Sequence, residues 1–134
     1  MAKLTLEQAE EWIKRAQQKA SQLGVKVSVY VVDDSGIPVA FARMNGAPIL
    51  GADIARAKAF TAAAFRKNTK DLQESWKDRP MAVSALMEIG AGKVAVLTGG
   101  VVSIKDGEVL GGIGVSGATS DQDHECAMEA VSGS

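Results

Sequence analysis

The chain has 134 residues, enough for one compact domain with its own core and too few for two ordinary ones, so residues 1–134 are read as a single domain. Apolar residues make up 46% and charged residues 23%, the balance of a globular protein in water, and 15 basic against 16 acidic residues leave no net charge to draw nucleic acid or an anionic membrane. The one cysteine, Cys126, excludes an internal disulfide and a cysteine-rich zinc site, and no apolar run approaches the ~18 residues of a membrane span, so a cytoplasmic location is expected.

Near the N-terminus, Leu6, Ala9, Ile13, Ala16, Ala20 and Leu23 recur at spacings of three and four with charged and amide side chains between them, which predicts an amphipathic helix. Thr5 and Gln8 have the spacing of a capping box, and Gly24 can end the helix. VKVSVYVVDD then alternates Val25, Val27, Val29 and Val31 against its other positions, the period of a strand with one buried face. Asp34-Ser35-Gly36 is turn chemistry, and IPVAFARM resumes as a second strand, whose Pro38 belongs at an edge or a strand start. GADIARAKAFTAAAFR, from Gly51 to Arg66, is rich in alanine with apolar positions on more than one side, which predicts a helix buried deeply or packed on a partner. Asn68 or Thr69 can cap a segment through KDLQESW, and Pro80 opens another short helix, MAVSALMEI.

AGKVAVLTGGVVSIKDGEVLGGIGVSG reads as strand material broken by glycines, two or three strands in all, with Asp106-Gly107 as a tight hairpin turn. A last helix starts near Asp121, capped by Thr119 or Ser120, with Asp121 and Asp123 in the first turn, where the helix dipole favours them. Hairpin-connected strands with helices before, between and after them predict an α+β layered domain with an antiparallel sheet.

Gly112, Gly114 and Gly117 spell GxGxxG, yet a dinucleotide fingerprint needs a βαβ unit and an acidic residue about 20 residues further on, and the chain ends first. Period-two alternation sets Leu110, Gly112, Gly114 and Ser116 on one strand face, so two neighbouring positions have no side chain. Such a face admits a closely packed helix, another backbone or a flat ligand. The SGATS loop beyond it leads into a helix N-terminus able to seat a carboxylate or phosphate, unless Thr119, Ser120 and the two aspartates satisfy those amides themselves.

VSVYVVDDSGIPVAFARMNGAP, ADIARAKAFTAAAF and GEVLGGIGVSGATSDQDHECA, in that order and spacing, resemble the GlcG/HbpS family of small domains, which also forms the C-terminal part of PduO proteins. The resemblance implies a profilin-like layered fold with an antiparallel sheet of about five strands flanked by helices, assembly into homo-oligomers and, in some members, haem binding. In a haem-binding PduO-type member the iron ligand is a first-helix histidine, and TLEQAEEWIKRAQQKASQLG has none. Asn45 stands where the family's turn usually carries an acidic residue, and Thr98-Gly99-Gly100 replaces its PGG.

Three readings of function follow. The first is a small-ligand-binding homo-oligomer with a tetrapyrrole or small anionic metabolite against the glycine face, contacted by Arg43, Lys58, Gly112, Gly114, Ser116, Gly117 and Thr119. The second is an enzyme on a small hydroxy or oxo acid, with His124 or Asp123 as general acid or base. The third is an assembly or scaffold domain built on the Ala-rich helix. Within the first, Arg43, Arg56 and Lys58 can converge if the end of the second strand faces that helix, although separate solvated charges are the more common explanation of such residues. Cys126 is expected to be a buried, inert thiol, and the single histidine excludes a multi-histidine metal site within one chain.

Overall fold

The computed structural model describes residues 3–133. Chain order is α1 (Leu6–Leu23), β1 (Ser28–Asp33), β2 (Pro38–Arg43), α2 (Gly51–Phe65), α3 (Thr69–Ser75), α4 (Pro80–Ile89), β3 (Gly100–Lys105), β4 (Glu108–Ser116) and α5 (Ser120–Val131). The strands form one antiparallel sheet in the order β2-β1-β4-β3. Local chemistry sets the ends as expected: Thr5 and Gln8 cap each other's backbone amides, Gly24 is left-handed at the end of α1, and Asp106 and Gly107 both take positive φ in the β3–β4 turn.

The sheet has four strands among the described residues, one fewer than the resemblance implies. The segment 93–98 contains KVAVLT but joins no ladder, because its polar backbone groups are claimed by side chains of neighbouring helices. Ala95 N–H donates to Thr61 Oγ1 at 2.9 Å and Thr98 N–H to Gln73 Oε1 at 3.1 Å. Both edges of the sheet are blunted. Pro38 starts the edge strand β2, while the outward amides of Gly100 and Val102 on β3 donate to Thr69 Oγ1 and Asn68 Oδ1.

One face packs Val27, Val29, Val31, Ile113 and Val115 against Ala9, Trp12, Ile13, Ala16 and Ala20 of α1 and Cys126, Ala127 and Ala130 of α5. Leu110 joins this cluster, contrary to strict alternation from Gly112. The β3–β4 register shifts between Ser103 and Ile104, so that Gly111 and Val109 pair with consecutive residues and the bulged Leu110 turns to the other side. The second face carries Tyr30, Val32, Gly112 and Gly114 and is covered by α2.

No described helix is long and apolar enough to cross a membrane.

Candidate functional site

The junction between β4 and α5 holds most of the residues singled out from the sequence. A Cβ on Gly112 would sit 2.5 Å from the Ala59 carbonyl oxygen, and one on Gly114 would strike the Ala55 carbonyl. The bare strand face is therefore the seat of α2, whose alanines let helix and sheet backbones approach, and a ligand has no shelf there within one chain. Ser116 is buried with its carbonyl beneath Gly51 at the start of α2, and Gly117 lies against the Lys26 carbonyl.

Lys58 does not join Arg43 as a free cation. It projects from α2 into the interior, 4% exposed, where Nζ donates to the Val115 carbonyl at 2.9 Å and to Asp123 Oδ2 at 3.1 Å. Asp123 Oδ1 accepts the Ala118 amide at 3.0 Å, so this carboxylate ties α2, the β4 end and the α5 entry together. Burial pushes the Lys58 ammonium below its ordinary value, against the opposing pull of Asp123. Burial likewise pushes Asp123 up, against Lys58 and the loop amides. The pair is a structural clamp, with two bonds from the Lys58 ammonium and both carboxylate oxygens of Asp123 engaged. Two further amides of the α5 entry are taken up by a capping box: Thr119 Oγ1 accepts from Gln122 N–H and Gln122 Oε1 from Thr119 N–H.

His124 follows Asp123 on α5 but faces α3, where Lys70 and Asp71 contribute to its field. Burial and then Lys70 hold its imidazole below the ordinary 6.5, and Nδ1 is buried with no hydrogen-bond partner. Cys126 is fully buried, and burial, with Asp123 and Glu125, pushes its thiol up to about 11, the inert thiol expected.

Arg43 lies elsewhere, at the end of β2, where Nε and Nη2 donate to the Ala47 carbonyl at 3.1 and 2.7 Å and fix the 43–47 turn. This turn borders an open groove of about 840 Å³ between α1 and the end of β2, lined by Lys14, Gln17, Gln18, Lys26, Met44 and Asn45 among others. The Lys26 side chain lies over Gly46, since a Cβ there would be 3.3 Å from its Nζ. Met44 Sδ accepts the Val27 amide at 3.5 Å. Two ammonium groups and several amides face a cleft wide enough for a small molecule, and none of these positions stands out in the sequence, where Lys14 and the glutamines read as the wet side of an amphipathic helix and Lys26 as the polar side of a strand.

A family model described as haem degrading protein HbpS-like matches residues 4–132. GlcG of Escherichia coli is 33% identical over 84% of this chain and 81% of its own. The corrinoid adenosyltransferase PduO of Salmonella typhimurium is 33% identical over 88% of this chain, which spans 35% of that protein. Among solved structures, a PduOC–haem complex superposes with a TM-score of 0.88 at 31% identity, covering 97% of this chain and 94% of the other.

Haem is thus the cofactor to test against the residues present. Among the described residues the groove offers no imidazole or thiolate to iron, and the thioether of Met44 already accepts the Val27 amide. His124 and Cys126 lie outside it, the first against α3 and the second in the core. The donor set does not fit iron ligation by a histidine or cysteine side chain.

Proposed function

The chain belongs to the HbpS-like family, and on that footing we propose that it is a small-ligand-binding domain working as a homo-oligomer, its ligand a carboxylate-bearing molecule seated in the groove between α1 and β2. The observation that carries the ligand class is the placement of Lys14 and Lys26 around one groove together with neutral amide donors. Arg43, at the bordering turn, is the sequence-derived contact that remains positioned to assist. The oligomer is supported by α4, which is strongly apolar yet has no buried residue; Met81 and Ile89 are 87% and 79% exposed.

Calorimetric titration of the purified protein with haemin and, separately, with a short hydroxy acid such as glycolate tests the binding role, with mass measured by light scattering in the same buffer. A saturable, stoichiometric heat with either compound, weakened by Lys14→Glu with Lys26→Glu, is the expected result. Absence of saturable heat with both compounds sinks the binding role, and a purely monomeric mass sinks the oligomer.

A further inference from the structure

We infer that the open edge of β2 is a docking site for an extended acidic segment of another protein, which adds to the sheet as a further strand and sets its carboxylates along the outer flank of α1. Nothing in the small-ligand reading requires such pairing, so the inference goes beyond it.

The two edges of the sheet differ in what meets them. On β3 the outward amides of Gly100 and Val102 are taken up by Thr69 and Asn68. β2 has β1 on one side and, among the described residues, no strand on the other. Met44 N–H donates to the Val27 carbonyl at 3.0 Å, and antiparallel pairs alternate between bonded and unbonded. Ala42 therefore also bonds inward, and the amides and carbonyls of Phe41 and Arg43 point out. Pro38 withholds a donor only at the start of the strand. Phe41 is 44% exposed and stacks on Tyr30, so the free edge is apolar on its α2 side. A bare edge of this kind pairs with an extended chain through main-chain bonds, and the surfaces beside it choose the side chains.

Charge on the other side of the edge selects the partner. Ala40, Ala42 and Met44 pack on the α1 side, so every second side chain of an added strand runs toward the flank of α1 turned away from α5. Arg15 and Lys19 mark the opposite flank, paired with Glu129 and Glu125. The outer flank contributes Lys14 and Gln17 to the groove, Lys26 joins them from the chain entering β1, and Glu10 and Glu11 of α1 lie outside that lining. A second copy paired there about a two-fold axis would bring its own Lys14 and Lys26 toward these two. Like charges oppose that arrangement, whereas a strand with a carboxylate at every second position satisfies both lysines and covers Phe41 with the residues between.

The test measures fluorescence anisotropy of a labelled peptide alternating glutamate and valine, titrated with the full chain. Saturable binding is expected, and replacing every glutamate by lysine should weaken it at least about tenfold. Methylating every second backbone amide of the peptide removes the donors facing β2 in one phase and spares them in the other. One phase should therefore lose about tenfold or more, and the other should stay within about threefold of the parent. Phe41→Pro removes an outward amide of β2 and should weaken the parent peptide similarly, with circular dichroism checking that the variant is folded. No saturable binding of the parent, equal binding of the lysine peptide, or undiminished binding by folded Phe41→Pro overturns the inference. So do equal affinities for the two methylated phases, a result that needs no variant. If Phe41→Pro instead lowers the mass of an oligomer that the peptide does not enter, the edge belongs to a second copy and the inference also fails. The haemin and glycolate titrations decide the small-ligand reading separately, since neither compound offers a strand to pair.

Discussion

Helices α2 and α4 are both built from small and apolar residues, yet they meet opposite fates. Eight residues of α2 are buried, including Gly51, Lys58 and Thr61, whereas none of α4 is. The difference lies in what faces them. α2 lies on a strand from which side chains have been removed at Gly112 and Gly114, so alanine alone suffices to close the layer. α4, between Pro80 and Ile89, has no such seat in its own chain, and its apolar side chains must be covered from outside to escape water. An apolar helix therefore marks either the inside of a domain or the contact between domains, and only the opposing surface tells which.

The sharpest way to break the buried side of this comparison is to orphan the charge that α2 carries inward. Asp123→Ala leaves the Lys58 ammonium without its carboxylate and frees the Ala118 amide, and should cost about 3–5 kcal/mol in a denaturant titration. The double change Lys58→Met with Asp123→Leu should recover most of that loss, because at neutral pH burial works against both ionised groups. If the double variant is as unstable as the single one, the ion pair is not the source of the cost.

Gly114→Ala probes the seat itself. The added methyl meets the Ala55 carbonyl, α2 must lift, and the expected loss is about 1–3 kcal/mol with a lowered Tm. An unchanged Tm would mean that helix and strand are not in close backbone contact.

On α4, Met81→Glu with Ile89→Glu should leave the stability of the isolated chain within about 0.5 kcal/mol while reducing the mass in solution to that of a monomer. The same charge placed on α2, as Ala59→Glu, should prevent folding. Persistence of the oligomer in the α4 variant would move the subunit contact to another surface.

The smallest effect concerns the α3 side of α5. His124 has its folded pKa below the ordinary 6.5, so the stability linked to its neutral form is present above that pH and is lost as pH falls through the folded value. Because the ring is partly exposed, the loss between pH 7 and pH 5 should be under about 1 kcal/mol, and His124→Gln should remove that part of the acid sensitivity. Equal pH profiles for both proteins would show that other groups carry it.

Much of the fold is legible in the residues because local chemistry fixes it. Thr5 with Gln8, Gly24, Asp106-Gly107 and Thr119 with Gln122 each satisfy or turn the backbone within a few positions, and the structure uses them all at those places. Alternation identifies β1 and most of β4, failing at Leu110, where a bulge set by pairing with β3 resets the face. KVAVLT has the composition of a strand, but its amides meet Thr61 and Gln73 before any neighbouring strand.

The site is less legible, since it depends on distances between segments far apart in the chain. Lys58 and Asp123 are 65 positions apart and look like surface charges until α2 and α5 meet across the end of β4. Lys14 and the glutamines of α1 look like a wet helix face until the turn after β2 rises beside them and, with Lys26, forms a groove. By itself the sequence determined the capped helices, the hairpins, the antiparallel layered class and the family, because these depend on spacing over a few residues or on a shared pattern. The tertiary structure alone decided that the glycine face receives α2, that Lys58 is consumed by Asp123 and that two other lysines share a groove. Those outcomes depend on which surfaces compete for the same space, a property of the packed chain and of no single segment of it.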